Sequence, residues 1–390
     1  MAKSKPDNSR LHPQTRLVTA ARDYSEHGIV NPPVYHASTV LFPTVSSLHD
    51  RSQAYVYGRR GTPTSRAFET AIAELEGGHD AKACPSGLSA ISSLLLTMLK
   101  AGDQLLMVDT VYAPVRHFCD TLLARLGIET VYYDPLVGKG IAELIGSRCR
   151  MVYLESPGSQ TMEVQDVAAI VEMAKHRGLL VAIDNTWAAG HYYKPFAHGC
   201  DFSIQAATKY IAGHSDTSLG VVTAAKTVWD EFAEGHGSLG QFAGPDDMYL
   251  ALRGLRTLDV RLERHMRNAL EVAEWLRQRP EVDAVLYPAL PGAPGHALWR
   301  RDFTGASGLF SIILKPYPPA AVGRLLDGLS LFGIGYSWGG FESLVVPFRP
   351  QRTATQWTSA GPCLRLHIGL ENPADLIEDL RNGFERLTAP

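Results

Sequence analysis

Leu179-Leu180-Val181-Ala182-Ile183 runs into Asp184-Asn185-Thr186-Trp187, and Phe202-Ser203-Ile204 runs into Gln205-Ala206-Ala207-Thr208-Lys209-Tyr210. Short apolar runs that stop at polar or small residues read as buried strands. Similar runs stand at Leu105–Val108, Met151–Leu154 and Leu219–Thr223, and helical patterns at Val115–Leu126 and Val167–His176 separate several of them. Strands alternating with helices predict an α/β fold with a large, mostly parallel sheet covered on both faces. Such sheets hold ligands at the carboxyl ends of their strands. Asp184 and Lys209 both fall there.

Working outward, Ser65–Leu75 has a helical pattern, and Cys84-Pro85-Ser86-Gly87-Leu88 turns into an apolar helix ending near Lys100. Near Asp246 the texture changes. Leu262, Met266, Ala269, Leu270, Ala273 and Leu276 recur at helical spacing. This predicts a long helix leading to a smaller C-terminal α/β domain, with strands at Leu309–Leu314 and Leu364–Ile368 and helices at Ala320–Leu326 and Leu376–Leu387. Upstream, Asn31-Pro32-Pro33 and scattered aromatics argue against helix, so residues 1 to about 60 read as an extended arm that needs another surface. The expected division is 1–60 arm, 61–245 large domain, and 246–390 linking helix and C-terminal domain.

The bulk composition narrows the function. The 390 residues are 45% hydrophobic and 20% charged, with a formal net charge of -3. That is ordinary globular composition without the basic excess a nucleic acid or membrane surface attracts. The five cysteines, Cys84, Cys119, Cys149, Cys200 and Cys363, lack the CxxC spacing of zinc knuckles, and their odd number disfavours a disulfide framework. Met1–Arg16 has no apolar core of a signal peptide, and the run around Ile91–Leu99 is too short to span a bilayer. A soluble, cytoplasmic protein is expected. The 14 histidines form no HExxH or other metal spacing, so no metal is expected.

Three features carry chemistry. Ser86-Gly87-Leu88 at a helix N-terminus is either a plain N-cap or a phosphate seat, since free amides and the positive end of the dipole hold anions and Gly87 admits close approach. Asp184 is either an N-cap or a carboxylate for a protonated ring nitrogen. Lys209 is either solvated or, if desolvated, an amine that condenses with carbonyl compounds. Phosphate seat, carboxylate and lysine together match the needs of pyridoxal 5'-phosphate. His214-Ser215-Asp216 suggests a hydrolase triad, but three adjacent residues cannot align as one. The segment reads as support behind Lys209.

Longer motifs sharpen this: Tyr57-Gly58-Arg59, Leu154-Glu155-Ser156-Pro157-Gly158-Ser159, Asp184-Asn185-Thr186-Trp187-Ala188 and Ser203–Lys209 with Tyr210. With them the chain, from about residue 15 to 388, resembles the Cys/Met-metabolism family of pyridoxal-phosphate enzymes. That resemblance implies the aspartate-aminotransferase-like fold (fold type I). The stretches Gly213-His214-Ser215-Asp216, Gly305–Phe310 and Tyr336-Ser337-Trp338-Gly339-Gly340 resemble most the β-eliminating carbon–sulfur lyases of that family.

The resemblance implies these roles. Lys209 holds the cofactor covalently and moves the Cα proton, and Asp184 keeps the ring nitrogen protonated. The turn at Ser86, Gly87 and Leu88 and the hydroxyl of Thr208 seat the phosphate. Tyr112 stacks on the ring. Tyr57 and Arg59 reach a neighbouring subunit's site, with Arg59 on the phosphate. Arg365 grips the substrate carboxylate beside Ser337 and Trp338, though a buried Arg365 in Leu364-Arg365-Leu366-His367 can equally serve a protein carboxylate. Two departures stand out. Leu88 replaces the frequent Met, and Ser159 stands where many γ-acting relatives carry Asn. Implied with these roles are an amino-acid thioether substrate and a homo-oligomer, a tetramer built from dimers with shared sites. γ-Elimination, γ-synthesis, cleavage of cystine or S-alkylcysteines, and a catalytically silent cofactor-binding protein remain as alternatives.

Overall fold

The computed structural model describes residues 11–22, 28–50 and 52–387. The strands in chain order are β1 Asp80–Cys84, β2 Gln104–Val108, β3 Glu129–Tyr133, β4 Cys149–Glu155, β5 Leu180–Asp184, β6 Phe202–Gln205 and β7 Gly220–Ala224. They form one seven-stranded sheet in the order β1-β7-β6-β5-β4-β2-β3. Neighbours are parallel from β6 across to β3, while β7 runs antiparallel to both β1 and β6. The sheet is therefore mostly parallel, as its apolar runs require. Val181, Ala182, Ile183, Phe202, Ile204, Val221 and Val222 are fully buried, which is what a sheet covered on both faces demands of its central strands.

Local chemistry fixes the helices around it. Pro63–Glu76 begins with a reciprocal Thr62–Ser65 capping box and Pro63 in the first turn, and ends at Gly77 with φ 82°. A left-handed C-terminal residue of this kind is cheap only for glycine. Gly87–Met98 starts at Ser86, whose hydroxyl accepts from the Ser89 amide at 3.1 Å.

A second, five-stranded sheet contains β8 Val282–Leu286, β9 Leu309–Leu314, β10 Gly333–Ile334, β11 Leu344–Phe348 and β12 Cys363–His367. Its order is β10-β11-β12-β9-β8, all antiparallel except the short β10–β11 pair. The 20-residue helix Leu258–Arg277 ties the two sheets. From it, the Arg261 guanidinium donates to Tyr210 O at 2.7 Å, and His265 Nδ1 bonds Ile368 O just past β12 at 2.7 Å. Trp187 crosses elsewhere, donating from Nε1 to Leu309 O at 3.0 Å.

Several expectations need correction. The arm is not purely extended. Pro13–Thr19 and Val45–Asp50 are short helices, although no regular element forms at Asn31-Pro32-Pro33. The first ten residues and 23–27 of the expected arm lie outside the described residues. The expected helix Val115–Leu126 starts at Ala113 and widens into a π-turn over Cys119–Leu123. Strands β1, β3, β8, β10 and β11 went unread. Asp80-Ala81-Lys82-Ala83-Cys84 has small alternating residues rather than an apolar run, β3 is an edge strand, and Pro347 inside β11 argues against a strand from sequence. No described helix is long and apolar enough to cross a membrane.

Candidate active site

Strands β4, β5 and β6 deliver Glu155, Asp184 and the Gln205–Lys209 turn to the same edge of the large sheet, and Glu155 and Asp184 are register partners. Thr186 joins the second and third: its amide donates to Asp184 Oδ1 at 3.0 Å, and its hydroxyl accepts from the Ala206 amide at 2.9 Å. The Lys209 turn is then clamped from behind, because the buried Arg261 also donates to Gly254 O at 2.8 Å. Gly213, with φ 72°, is obligatory there, since a Cβ would lie 2.0 Å from Arg261 Nη1.

Burial sets the electrostatics. It pushes the Asp184 carboxyl above the usual range, against its hydrogen bonds to Thr186. Lys209 falls to about 8, first through burial and next through the positive charge of Arg365, with Asp184 opposing. Desolvation wins in both groups, which is the condition for a nucleophilic amine near neutral pH. Lys209 Nζ donates to Ser337 Oγ at 2.8 Å and lies 5.3 Å from the centre of the Trp338 ring. Ser337 and Trp338 reach it because Gly339, with φ 86°, lets the loop pass against the chain. A Cβ there would meet Lys209 C and Tyr210 N at 2.8 Å. The Gly339 amide donates to His367 Nε2 at 3.1 Å.

Arg365 sits on β12 and is 8% exposed. Its Nη2 donates to the carbonyls of Gly335, Tyr336 and Ser337 at 3.1, 2.8 and 3.1 Å, while Nε is buried without a partner. Among the described residues no carboxylate pairs with it. Burial lowers Arg365 to about 10. A buried cation without its anion is costly, and an incoming carboxylate recovers that cost.

Tyr112 lies at the mouth, 45% exposed. Burial of part of the ring, and then the carboxylates of Glu155 and Asp184, raise its phenol above the ordinary value, with Arg365 opposing. One phenol thus senses the carboxylates and the guanidinium together. Glu155 was legible only as part of a motif, yet it fixes this tyrosine by accepting the Tyr112 amide at 2.8 Å. Its own carboxyl is held well above the usual range by burial and by Asp184.

The helix at Gly87 completes the group. A Cβ on Gly87 would lie 2.7 Å from Ala206 Cβ, so only glycine lets the helix N-terminus lie against the Lys209 turn. The amides of Gly87 and Leu88 have no intrahelical acceptor, and Leu88 is 36% exposed. Two expected phosphate contacts are differently engaged. The Ser86 hydroxyl caps its own helix, and the Thr208 hydroxyl donates to Leu219 O at 3.1 Å while accepting the Leu219 amide at 2.8 Å. Tyr57 and Arg59 are not brought to this chain's Lys209. Arg59 donates to Gly237 O at 2.9 Å and lines a separate cavity of about 340 Å³. His214 bonds Ala212 O at 2.7 Å and Ser215 donates to Glu342 at 2.5 Å, so no triad forms.

A lysine with a lowered pKa, a half-buried carboxylate with no ion pair among the described residues, and an anion seat at the same strand ends fit pyridoxal 5'-phosphate. Each group meets a different part of that cofactor.

Known proteins place this arrangement. Over 381 residues the chain is 49% identical to a putative cystathionine beta-lyase of Rhizobium johnstonii, covering 96% of each. It is 42% identical over 387 residues to the cystathionine beta-lyase MetC of Escherichia coli, covering 96% of this chain and 98% of that one. Among solved structures, a cystathionine gamma synthase of Xanthomonas oryzae pv. oryzae superposes with a TM-score of 0.90 at 33% identity, over 97% of this chain and 98% of that one. The family model of Cys/Met metabolism PLP-dependent enzymes matches residues 14–385, and the chain belongs to that family.

Proposed function

We propose that the chain catalyses β-elimination at the carbon–sulfur bond of cystathionine, which with water yields homocysteine, pyruvate and ammonia. The observation that carries this is the Ser337–Trp338 loop. Lys209 bonds its Ser337 hydroxyl and Arg365 its Ser337 carbonyl, so amine and guanidinium are held at one residue at a spacing set by protein bonds. The choice of cystathionine is supported by the activity named for the Rhizobium johnstonii and Escherichia coli relatives.

When bound, the cofactor supplies the electron sink that makes the substrate Cα–H acidic. Lys209 would hold it covalently, and the amides of Gly87 and Leu88 would receive its phosphate. Asp184 keeps a proton on the ring nitrogen. Tyr112 covers the ring. Once the substrate's amine has displaced it, the Nζ of Lys209 would take the Cα proton and pass a proton to the departing thiolate sulfur. Arg365 fixes the substrate carboxylate through charge-assisted bonds, which orients the Cα–H bond. Trp338 closes the same side against water.

The described part of the arm after Gly28 lies on a neighbouring subunit and lends it Tyr57 and Arg59, whereas Leu17 and Ala20 are buried in this chain's own core. The support is exposure: Ile29, Leu41 and Val45 are 62%, 84% and 70% exposed on the single chain, and Tyr57 44%. Residues 61–245 form the cofactor domain and 246–390 the linking helix and C-terminal domain, and a tetramer built from dimers is the expected assembly. Turnover of cystathionine with both products identified tests the reaction. Pyruvate with homocysteine supports it, whereas 2-oxobutyrate with cysteine replaces it by γ-elimination.

A further inference from the structure

We propose that Glu76, outside the pocket, is a positioning residue for the cofactor site, acting through the strand ends that carry Asp184 and Lys209; this rests on the roles of those two residues given above. Glu76 ends the helix Pro63–Glu76 and is fully buried. Its Oε1 accepts from Ser203 Oγ at 2.5 Å, Gln205 Nε2 at 2.9 Å and Asn185 Nδ2 at 3.2 Å. Gln205 Nε2 also donates to Asn185 O at 3.1 Å. Ser203 and Gln205 belong to β6, and Asn185 directly follows Asp184 at the end of β5. A single oxygen thus ties side chains of both strand ends, whose backbones are already paired by Asn185 N–H to Ile204 O at 2.9 Å, next to the carboxylate on one strand and just before the Lys209 turn on the other.

The surroundings leave this carboxylate little freedom. Gly190, with φ 65°, passes so close that a Cβ would lie 2.9 Å from Glu76 Cγ. Lys194 closes the far side by donating to Leu75 O at 2.5 Å and Gly190 O at 2.7 Å. The second oxygen, Oε2, is buried without a donor. A clamp alone needs only one acceptor oxygen, which an amide carbonyl provides, and an unsatisfied buried oxygen is a cost. The carboxylate has a second effect: its field helps to push Asp184 up. Geometry and charge both reach the groups that hold the cofactor, from behind the pocket.

The test compares wild-type holoenzyme with Glu76→Gln and Glu76→Asp, titrating the absorbance of the bound cofactor with pH alongside kcat, KM and thermal midpoint. Glu76→Gln keeps an acceptor and removes the charge. The titration midpoint should fall by about 0.5 pH unit or more, because loss of a nearby anion makes a cationic acid easier to deprotonate. kcat should fall roughly three- to ten-fold with KM within about two-fold. Glu76→Asp keeps the charge but retracts the oxygen. Its midpoint should stay near wild type while kcat falls and the cofactor dissociates more readily. A folded Glu76→Gln with wild-type midpoint and kcat overturns the proposal, as does a Glu76→Asp midpoint displaced as far as that of Glu76→Gln. If Glu76→Gln does not fold, wild-type kcat and cofactor retention in Glu76→Asp overturn it instead. The readout follows the cofactor at Lys209, so a wild type that cleaves no cystathionine leaves this test intact. Persistence of the absorbance band in Lys209→Ala would refute the underlying site instead.

Discussion

Asp184 and Lys209 lie on strand ends whose neighbours Ile183 and Ile204 are fully buried, tied by Thr186, Glu76 and Arg261 within one chain. Tyr57 and Arg59 follow a stretch that exposes Ile29, Leu41 and Val45. Both regions carry motif residues, yet only the first is finished by its own fold. The difference is one of hydrogen-bond supply. At the strand ends every functional side chain is oriented by a protein partner. In the arm, apolar groups are left in water and Arg59 rests on the carbonyl of Gly237. Such exposure supports the proposed contact of this region with another surface.

The sharpest way to break this contrast is Lys209→Ala. If the strand-end cluster is self-sufficient, removing its amine should lower turnover by at least about a thousand-fold while the fold survives. Circular dichroism, cofactor absorbance and pyruvate release check this, and near-normal turnover would remove the site from β6. Arg365 comes next. Arg365→Ala should lower kcat/KM about ten- to a hundred-fold, as expected for a lost charge-assisted pair of roughly 1.5–3 kcal/mol, with cofactor content unchanged. Arg365→Lys should recover little, because an ammonium cannot copy the guanidinium fork. Full recovery would mean that a point charge suffices.

Asp184, Lys209 and Gly87 were legible because strand ends and helix N-termini announce themselves through apolar runs and turn residues. Glu76 and Arg261 were not, and Glu155 and His367 were legible only as members of motifs. They act through partners distant in sequence, such as Glu76 and Ser203, 127 positions apart, and no local spacing records such a pairing. Thr208 shows the converse. Its place beside Lys209 is plain from the sequence, but the engagement of its hydroxyl by Leu219 depends on where β7 begins. In the arm, composition concealed two short helices, since seven- and six-residue helices carry too little periodicity to read.

Acid should separate the regions by stability. Burial depresses His236 and His265 to about 4, whereas His36 in the arm is exposed. Above the ordinary histidine value of 6.5 both buried rings are neutral, folded or unfolded, and their stability is fully present. As pH falls through that value the unfolded state takes up protons first, so stability declines until about pH 4. The loss is roughly 3 kcal/mol for each ring. Urea midpoints measured between these limits should fall steadily, and His265→Gln should flatten the decline. A flat profile in the wild type would mean that the rings are not dry.

Mixing tests the arm directly. Arg59→Ala and Lys209→Ala subunits are each expected to be inactive alone. Random dimers of the two restore one intact site in every hybrid, or about one quarter of wild-type activity. No recovery after exchange is verified by native mass would place Arg59 in its own chain's site and end the contrast drawn above.

The smallest effect belongs to Trp338, which bridges the finished site and its open mouth. Its ring lies 5.4 Å from that of Tyr210 and under the Lys209 amine, so it has a packing side and a pocket side. Trp338→Gly removes bulk next to the carboxylate seat without touching Asp184 or Gly87, and keeps the Lys209–Ser337 bond. Pocket-filling contacts discriminate modestly between related substrates. The ratio of kcat/KM for cystathionine to that for S-methylcysteine should therefore shift about three- to ten-fold, with cofactor content unchanged. A fall that is equal for both substrates assigns the ring to packing against Tyr210. It would also leave Arg365 and Ser337 as the only groups that shape the substrate side, and the preference for a β-thioether would have to come from elsewhere in the pocket.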